Sequence, residues 1–71
     1  MERMVSTVPI NIKTGAVYST STGESVRVSG KIPTVHVTDD AGDIHGPFST
    51  ITEVRRCIGA ILNIPCPVFA Q

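Results

Sequence analysis

The chain has 71 residues, of which 17% are charged, and six basic side chains balance six acidic ones to a formal net charge of zero. This balance disfavours electrostatic attraction to nucleic acid or to a membrane surface. No apolar run reaches the ~20 residues that cross a bilayer, and no secretory signal precedes the domain, so we expect a cytoplasmic protein without a membrane partner.

The small size of the chain predicts one domain over residues 1–71 with marginal stability. A domain near this length buries only about 60% of the surface that its unfolded chain exposes. A weakly charged surface of this kind also resists self-association poorly. We therefore expect a homo-oligomer or a complex with a protein partner.

Strand-forming patterns occupy the first two thirds of the chain. Residues 8–12 alternate apolar and polar side chains, and a second short strand is predicted around Val17. Residues 25–29 and 34–38 read S-V-R-V-S and T-V-H-V-T, a period of two that is typical of half-buried strands. The segment 39–43, D-D-A-G-D, is the strongest turn signal and predicts a hairpin.

A last strand and one helix follow the turn. The strand begins at Ile44 and is expected to end at the Gly-Pro pair before the helix, because proline donates no ladder hydrogen bond. Thr50 and Glu53 form a capping-box pattern that starts the helix, and Asn63 with Pro65 ends it. The helix carries one apolar stripe made of Ile51, Val54, Cys57, Ile58, Ile61 and Leu62.

Strands first and a helix last predict the α+β class. We expect a small antiparallel sheet of three to five strands, covered on one face by a single C-terminal helix over about 50–63. The apolar tail 64–71 cannot continue the helix. Its residues Val68 and Phe69 are predicted to dock either on the domain's own core or on a partner as an interface.

The alternation of the strands divides the predicted sheet into two faces. The face toward the helix is expected to carry Val26, Val28, Val35, Val37 and Ile44. The other face is polar with few charges, and its predicted binding residues are Tyr18, Arg27, Thr34, His36 and His45.

Catalytic and metal-site patterns are weak, and we predict neither an enzyme nor a cofactor. Cys57 falls on the apolar side of the helix, and with Cys66 it is interpreted as a free, buried thiol. His36 and His45 are potential cross-strand neighbours. Two ligands fall short of the three or four that zinc requires, so no metal site is predicted.

The corner before the helix, residues 46–54, resembles that of DNA-binding domains built from a three-stranded sheet and a helix. Plant AP2 domains and the arm-binding domains of tyrosine integrases have such corners, usually G-x-F-x-T-x-x-E-A. The matching positions here are Gly46, Phe48, Thr50 and Glu53, with Val54 in place of alanine. The resemblance implies DNA binding through the sheet. The cations that could contact phosphates from this face are Arg27 and, in addition, Lys13 and Lys31.

The sequence therefore predicts a small non-catalytic protein-binding module. An inhibitor or adaptor encoded by a phage or a mobile element fits the size of the chain, and it would act through the exposed sheet face, possibly as a homodimer. The alternative is a DNA-binding domain that uses the same three-stranded face, as in integrase arm-binding-like folds.

Overall fold

The computed structural model describes the backbone of residues 2–67 and the side chains of residues 4–67. Within this range one five-stranded sheet is followed by one helix. The elements are β1 (Glu2–Met4), β2 (Val17–Ser19), β3 (Ser25–Ser29), β4 (Val35–Asp39), β5 (Ile44–Phe48) and α1 (Ile51–Leu62). The strands lie side by side in sequence order, with β2 to β5 antiparallel and β1 parallel to β2 at one edge. The α+β prediction is confirmed.

Helix α1 packs across β3, β4 and β5, and the core lies between the helix and the sheet. The valines at 26, 28, 35 and 37 are at most 1% exposed, so their predicted orientation toward the helix is confirmed. From the helix, Val54, Ile58 and Leu62 complete this layer at the spacing of one helical face. Among residues 4–67, no side chain on the side of the sheet away from α1 belongs to this core.

Both ends of α1 form as their residues predict. The Oγ1 atom of Thr50 accepts a hydrogen bond of 3.2 Å from the backbone N–H of Glu53. The Glu53 carboxylate accepts in return from the hydroxyls of Ser49 at 2.9 Å and Thr50 at 3.2 Å, and these bonds lower its pKa. At the other end Asn63 adopts the left-handed conformation, with φ 55° and ψ 48°.

The segment 8–12 is not a strand, and this prediction is wrong. Its backbone groups are bonded elsewhere: the N–H of Val8 donates to the carbonyl of Pro65 at 2.8 Å. The carbonyls of Val8 and Pro9 accept from the guanidinium of Arg55. Since these backbone groups already have hydrogen-bond partners outside the sheet, they do not need a neighbouring strand to satisfy them. The edge position is taken by β1, which no periodic pattern marks.

A second side of α1 is covered by the two chain ends. Gly59 is buried, and a Cβ atom there would lie 3.2 Å from the Cβ of Cys66 and 3.3 Å from a methyl of Val8. Arg55 is 5% exposed and donates to the carbonyl of Pro67 as well. Residues 64–67 therefore dock on their own helix. The predicted interface residues Val68 and Phe69 lie outside the described residues.

Candidate functional site

An extra residue in β5 decides which side chains face away from the helix. Val35 lies opposite Phe48, and Val37 lies opposite His45, so two steps on β4 match three steps on β5. This is a β-bulge, and it lies at Gly46, whose φ is 127°. A Cβ atom at Gly46 would stand 2.8 Å from the carbonyl oxygen of Val35. Glycine suits this position, because the chain there has a positive φ and little space.

The bulge exchanges the faces predicted for Ile44 and His45. Ile44 pairs with Thr38 and is 69% exposed, so the prediction that it faces the helix is wrong. His45 pairs with Val37 and lies on the helix side, so its predicted place on the binding face is also wrong. A shift of one residue moves every side chain beyond it to the opposite face.

Tyr18 is the second correction to the predicted binding face. It lies opposite Val26, is 0% exposed, and forms the largest fully buried side chain of the core. Its hydroxyl accepts a hydrogen bond of 3.1 Å from the backbone N–H of Lys13, which satisfies the buried phenol. A strand of three residues offers too short a pattern to fix its register from sequence, whereas the pairing with β3 does so in the structure.

Of the other three predicted residues, two remain on the face. Arg27 is exposed and lies opposite Val17, and His36 is half-buried opposite Ser29. Thr34 precedes β4 rather than belonging to it, and its hydroxyl donates to the carbonyl of Lys31 at 3.3 Å within a turn. Thr34 is exposed, but it lies at the end of the sheet.

The side of the sheet that faces away from α1 is called the open face below. By strand register, and among the residues whose side chains are described, it consists of Met4, Val17, Ser19, Ser25, Arg27, Ser29, His36, Thr38 and Ile44. Met4 on the edge strand β1 is 68% exposed, and Ile44 on the opposite edge strand β5 is 69% exposed. Among these described side chains Arg27 is the one with a permanent charge. The face is therefore broadly neutral, with apolar edges and one central cation.

The helix side of β4 and β5 carries a hydrogen-bonded pair of titratable groups. The Oδ2 atom of Asp39 lies 3.1 Å from Nε2 of His45. Its Oδ1 atom accepts from the backbone N–H groups of Ala41 at 3.0 Å and Asp43 at 2.9 Å. The His45 bond first, and the Asp43 bond next, lower the pKa of Asp39. The carboxylate thus fastens the turn between the two strands, which is a structural role.

Replacing Asp39 with asparagine is expected to destabilise the domain at neutral pH and to flatten the acid limb of its stability profile. Because the folded-state pKa of Asp39 lies below its ordinary value of 3.8, its contribution is complete above that value and is lost as the pH falls through the lower folded pKa. Urea unfolding between pH 2 and 7 tests this. Asp40→Asn removes an exposed charge from the same turn and serves as the control. Equal pH profiles for both variants would contradict the assigned role.

Cys57 is close enough to Asp39 to feel its charge, and its surroundings oppose nucleophilic chemistry. Burial first, and the negative charge of Asp39 second, raise the pKa of its thiol. A thiol with a raised pKa stays protonated at neutral pH, and the thiolate is the reactive form. Cys57 and Cys66 are both free and half-buried.

His36 and His45, which the sequence left as potential cross-strand neighbours, do not pair, because they lie on opposite sides of the sheet. Within residues 4–67 no group of three or more His, Cys, Asp or Glu side chains is arranged to hold a metal ion. The helix α1, the one helix of residues 2–67, is too short to cross a bilayer.

Comparison of the chain with protein-family models, with curated proteins and with solved structures gives no match. The geometry of the open face and of its surroundings therefore carries the functional argument.

Two features of the site escaped the sequence patterns. Met4 lies in a segment without periodicity, and Ile44 lies beyond the bulge. The Gly46-Pro47 pair was the available signal for the second feature, since glycine and proline inside a strand commonly mark a bulge or an edge. No comparable signal marks Met4.

Proposed function

We propose that this protein is a non-catalytic protein-binding module, an inhibitor or adaptor, and that its open face contacts the partner. The observation that carries the proposal is the exposure of Met4 and Ile44 at the two edges of a sheet face whose centre holds Arg27. Methionine and arginine are enriched at protein interfaces, where charged residues other than arginine are depleted. A binding role also fits a thiol held in its unreactive form at Cys57.

The charge pattern of the open face favours a heterologous partner over a second copy. A symmetric dimer through this face would bring two Arg27 side chains toward the same twofold axis. None of the described side chains of the face is acidic and able to neutralise them. A partner surface with apolar edges and one carboxylate opposite Arg27 would be complementary.

The proposal is tested by capturing partners from the source cells with the tagged protein and then measuring the affinity of the purified partner. Arg27→Glu and Ile44→Lys are expected to weaken binding about tenfold or more, because each puts a charge of the wrong sign or an unpaired charge into the proposed contact surface. The matched controls are Arg56→Glu on α1 and Ile10→Lys in the N-terminal segment, which make the same changes at exposed positions away from the face. Full affinity in both face variants, or equal losses in the controls, would refute the proposal.

Duplex DNA is a second candidate ligand for the same face. One observation favours it: Arg27 projects from a sheet face that no other part of residues 2–67 covers, as in the DNA-binding domains that the corner resembles. A mobility-shift titration at low salt tests it, with Arg27→Ala as the variant. DNA binding requires a shift that weakens steeply with added salt and is lost in the variant. The absence of any shift would remove this candidate.

A further inference from the structure

A groove of about 490 Å³ lies at the end of the sheet where β2 turns into β3. Three segments line it: residues 4–6 after β1, the turn 20–24, and residues 62–64 at the end of α1. Its volume falls within the ~300–1,000 Å³ of small-molecule sites. Apart from Met4 at the rim, its lining is distinct from the open face, and the inference below is independent of the proposed function.

The turn side of the groove is acidic and rich in hydroxyl groups. Thr20 and Thr22 share a hydroxyl hydrogen bond of 2.8 Å, and the Thr22 hydroxyl donates to the Glu24 carboxylate at 3.2 Å. The backbone N–H of Glu24 donates in turn to the Thr20 hydroxyl at 3.3 Å. This network holds a carboxylate at the groove, and among residues 4–67 no lysine or arginine lines it.

The helix side of the groove adds a second source of negative potential. Helix α1 ends there, and the C-terminal end of a helix carries a partial negative charge of about 0.5. The last turn of α1 contains no basic residue to offset it. Among residues 2–67 no hydrogen bond reaches the carbonyls of Asn63 or Ile64, which follow the buried Leu62.

An apolar wall is formed by the side chains of Met4, Val5, Leu62 and Ile64, and the polar residues Ser6, Ser21 and Asn63 complete the lining. A matching ligand has a positively charged donor group and a short hydrocarbon stem. We propose that the groove binds a primary ammonium group on an aliphatic stem, either a free amine or the lysine side chain of a partner protein. The ammonium group contacts the Glu24 carboxylate and the end of α1, while the stem lies against the apolar wall.

The test is a titration of the folded, ¹⁵N-labelled protein followed by two-dimensional NMR. Butylammonium is expected to shift the amide signals of Thr22, Glu24 and Ile64 to saturation, whereas 1-butanol and butyrate are not. Nα-acetyl-lysine N-methylamide distinguishes the two sources: tighter binding of this probe assigns the groove to a partner's lysine, and tighter binding of butylammonium assigns it to a free amine. The proposal would be overturned if 1-butanol saturated the same amide shifts, or if neither butylammonium nor Nα-acetyl-lysine N-methylamide shifted them.

Glu24→Gln keeps an acceptor for Thr22 and removes the charge, and it is expected to weaken butylammonium binding about two- to fivefold, the range of an exposed ion pair. Asp40→Asn changes the net charge equally at the remote turn and is expected to leave the titration unchanged. Equal effects of the two variants would contradict a local contact. Because Arg27→Glu lies outside the groove, it should leave this titration intact, so the groove and the open face can fail separately.

Discussion

Replacing Arg55 with methionine is expected to lower the free energy of unfolding by about 3 kcal/mol. A buried acceptor that loses a charged donor costs roughly 1–3 kcal/mol, and the lower end applies to each carbonyl because the structure around the three carbonyls can relax. The Arg55 guanidinium is 5% exposed and bonds to the carbonyls of Val8, Pro9 and Pro67. It therefore ties the helix to both chain ends. Methionine fills a similar volume without any donor. Urea unfolding followed by circular dichroism measures the loss.

Arg56→Met is the matched control for this experiment. Arg56 is the adjacent residue on α1 and is exposed, and surface substitutions of this kind usually change stability by less than about 0.5 kcal/mol. If Arg55→Met and Arg56→Met have the same small effect, Arg55 does not clamp the chain ends.

Replacing Tyr18 with alanine is expected to cost about 3–5 kcal/mol, as for other large aromatic residues truncated in cores. Tyr18 is the largest fully buried side chain, at 0% exposed. Domains of this size have a total stability of only ~5–10 kcal/mol, so the variant will lose a large fraction of it. Thermal and urea unfolding both report the loss.

Tyr18→Phe separates the ring from its hydroxyl. It removes the hydrogen bond from the N–H of Lys13 and keeps the packing, so we expect a loss of about 1 kcal/mol. A Tyr18→Ala variant as stable as Tyr18→Phe would mean that the ring lies in solvent, as the sequence pattern had predicted.

The helix and the central hairpin were predictable because local chemistry decides them. Thr50 caps α1 and Asn63 ends it through bonds within four residues of each position. Strands β3 and β4 alternate without interruption over five residues each. In the turn between β4 and β5, the Asp39 carboxylate accepts from backbone N–H groups two and four residues on, as Asp and Asn side chains commonly do in turns. Such short-range signals survive without knowledge of the tertiary fold.

The orientation of β5 was not predictable by alternation, because one inserted residue reverses it. The Gly46-Pro47 bulge restores Phe48 to the helix side while it turns Ile44 outward. The same tertiary dependence hid β1, a three-residue strand that pairs with β2 across a long stretch of sequence. Two of the five predicted face residues therefore lie on the helix side: His45 because of the bulge, and Tyr18 because of the pairing of β2 with β3.

The second buried side of α1 depends on contacts between distant parts of the chain. Arg55 and Gly59 lie outside the apolar stripe of α1, so the helical pattern predicts that both are exposed to solvent. They are buried because the segments around Val8 and Cys66 return to this side and bring unpaired carbonyls with them. No periodicity encodes a partner that lies 46 residues away, as Pro9 does from Arg55.

The bulge in β5 leaves Ile44 on a face of the sheet that no other part of residues 2–67 covers. Methyl-resolved NMR with a soluble paramagnetic gadolinium chelate measures this directly, since relaxation falls steeply with distance from solvent. The Ile44 methyl should relax at least as strongly as those of Ile10 and Ile32, which are 42% and 45% exposed, while Ile58 at 0% stays protected. Protection of Ile44 at the level of Ile58 would contradict the account.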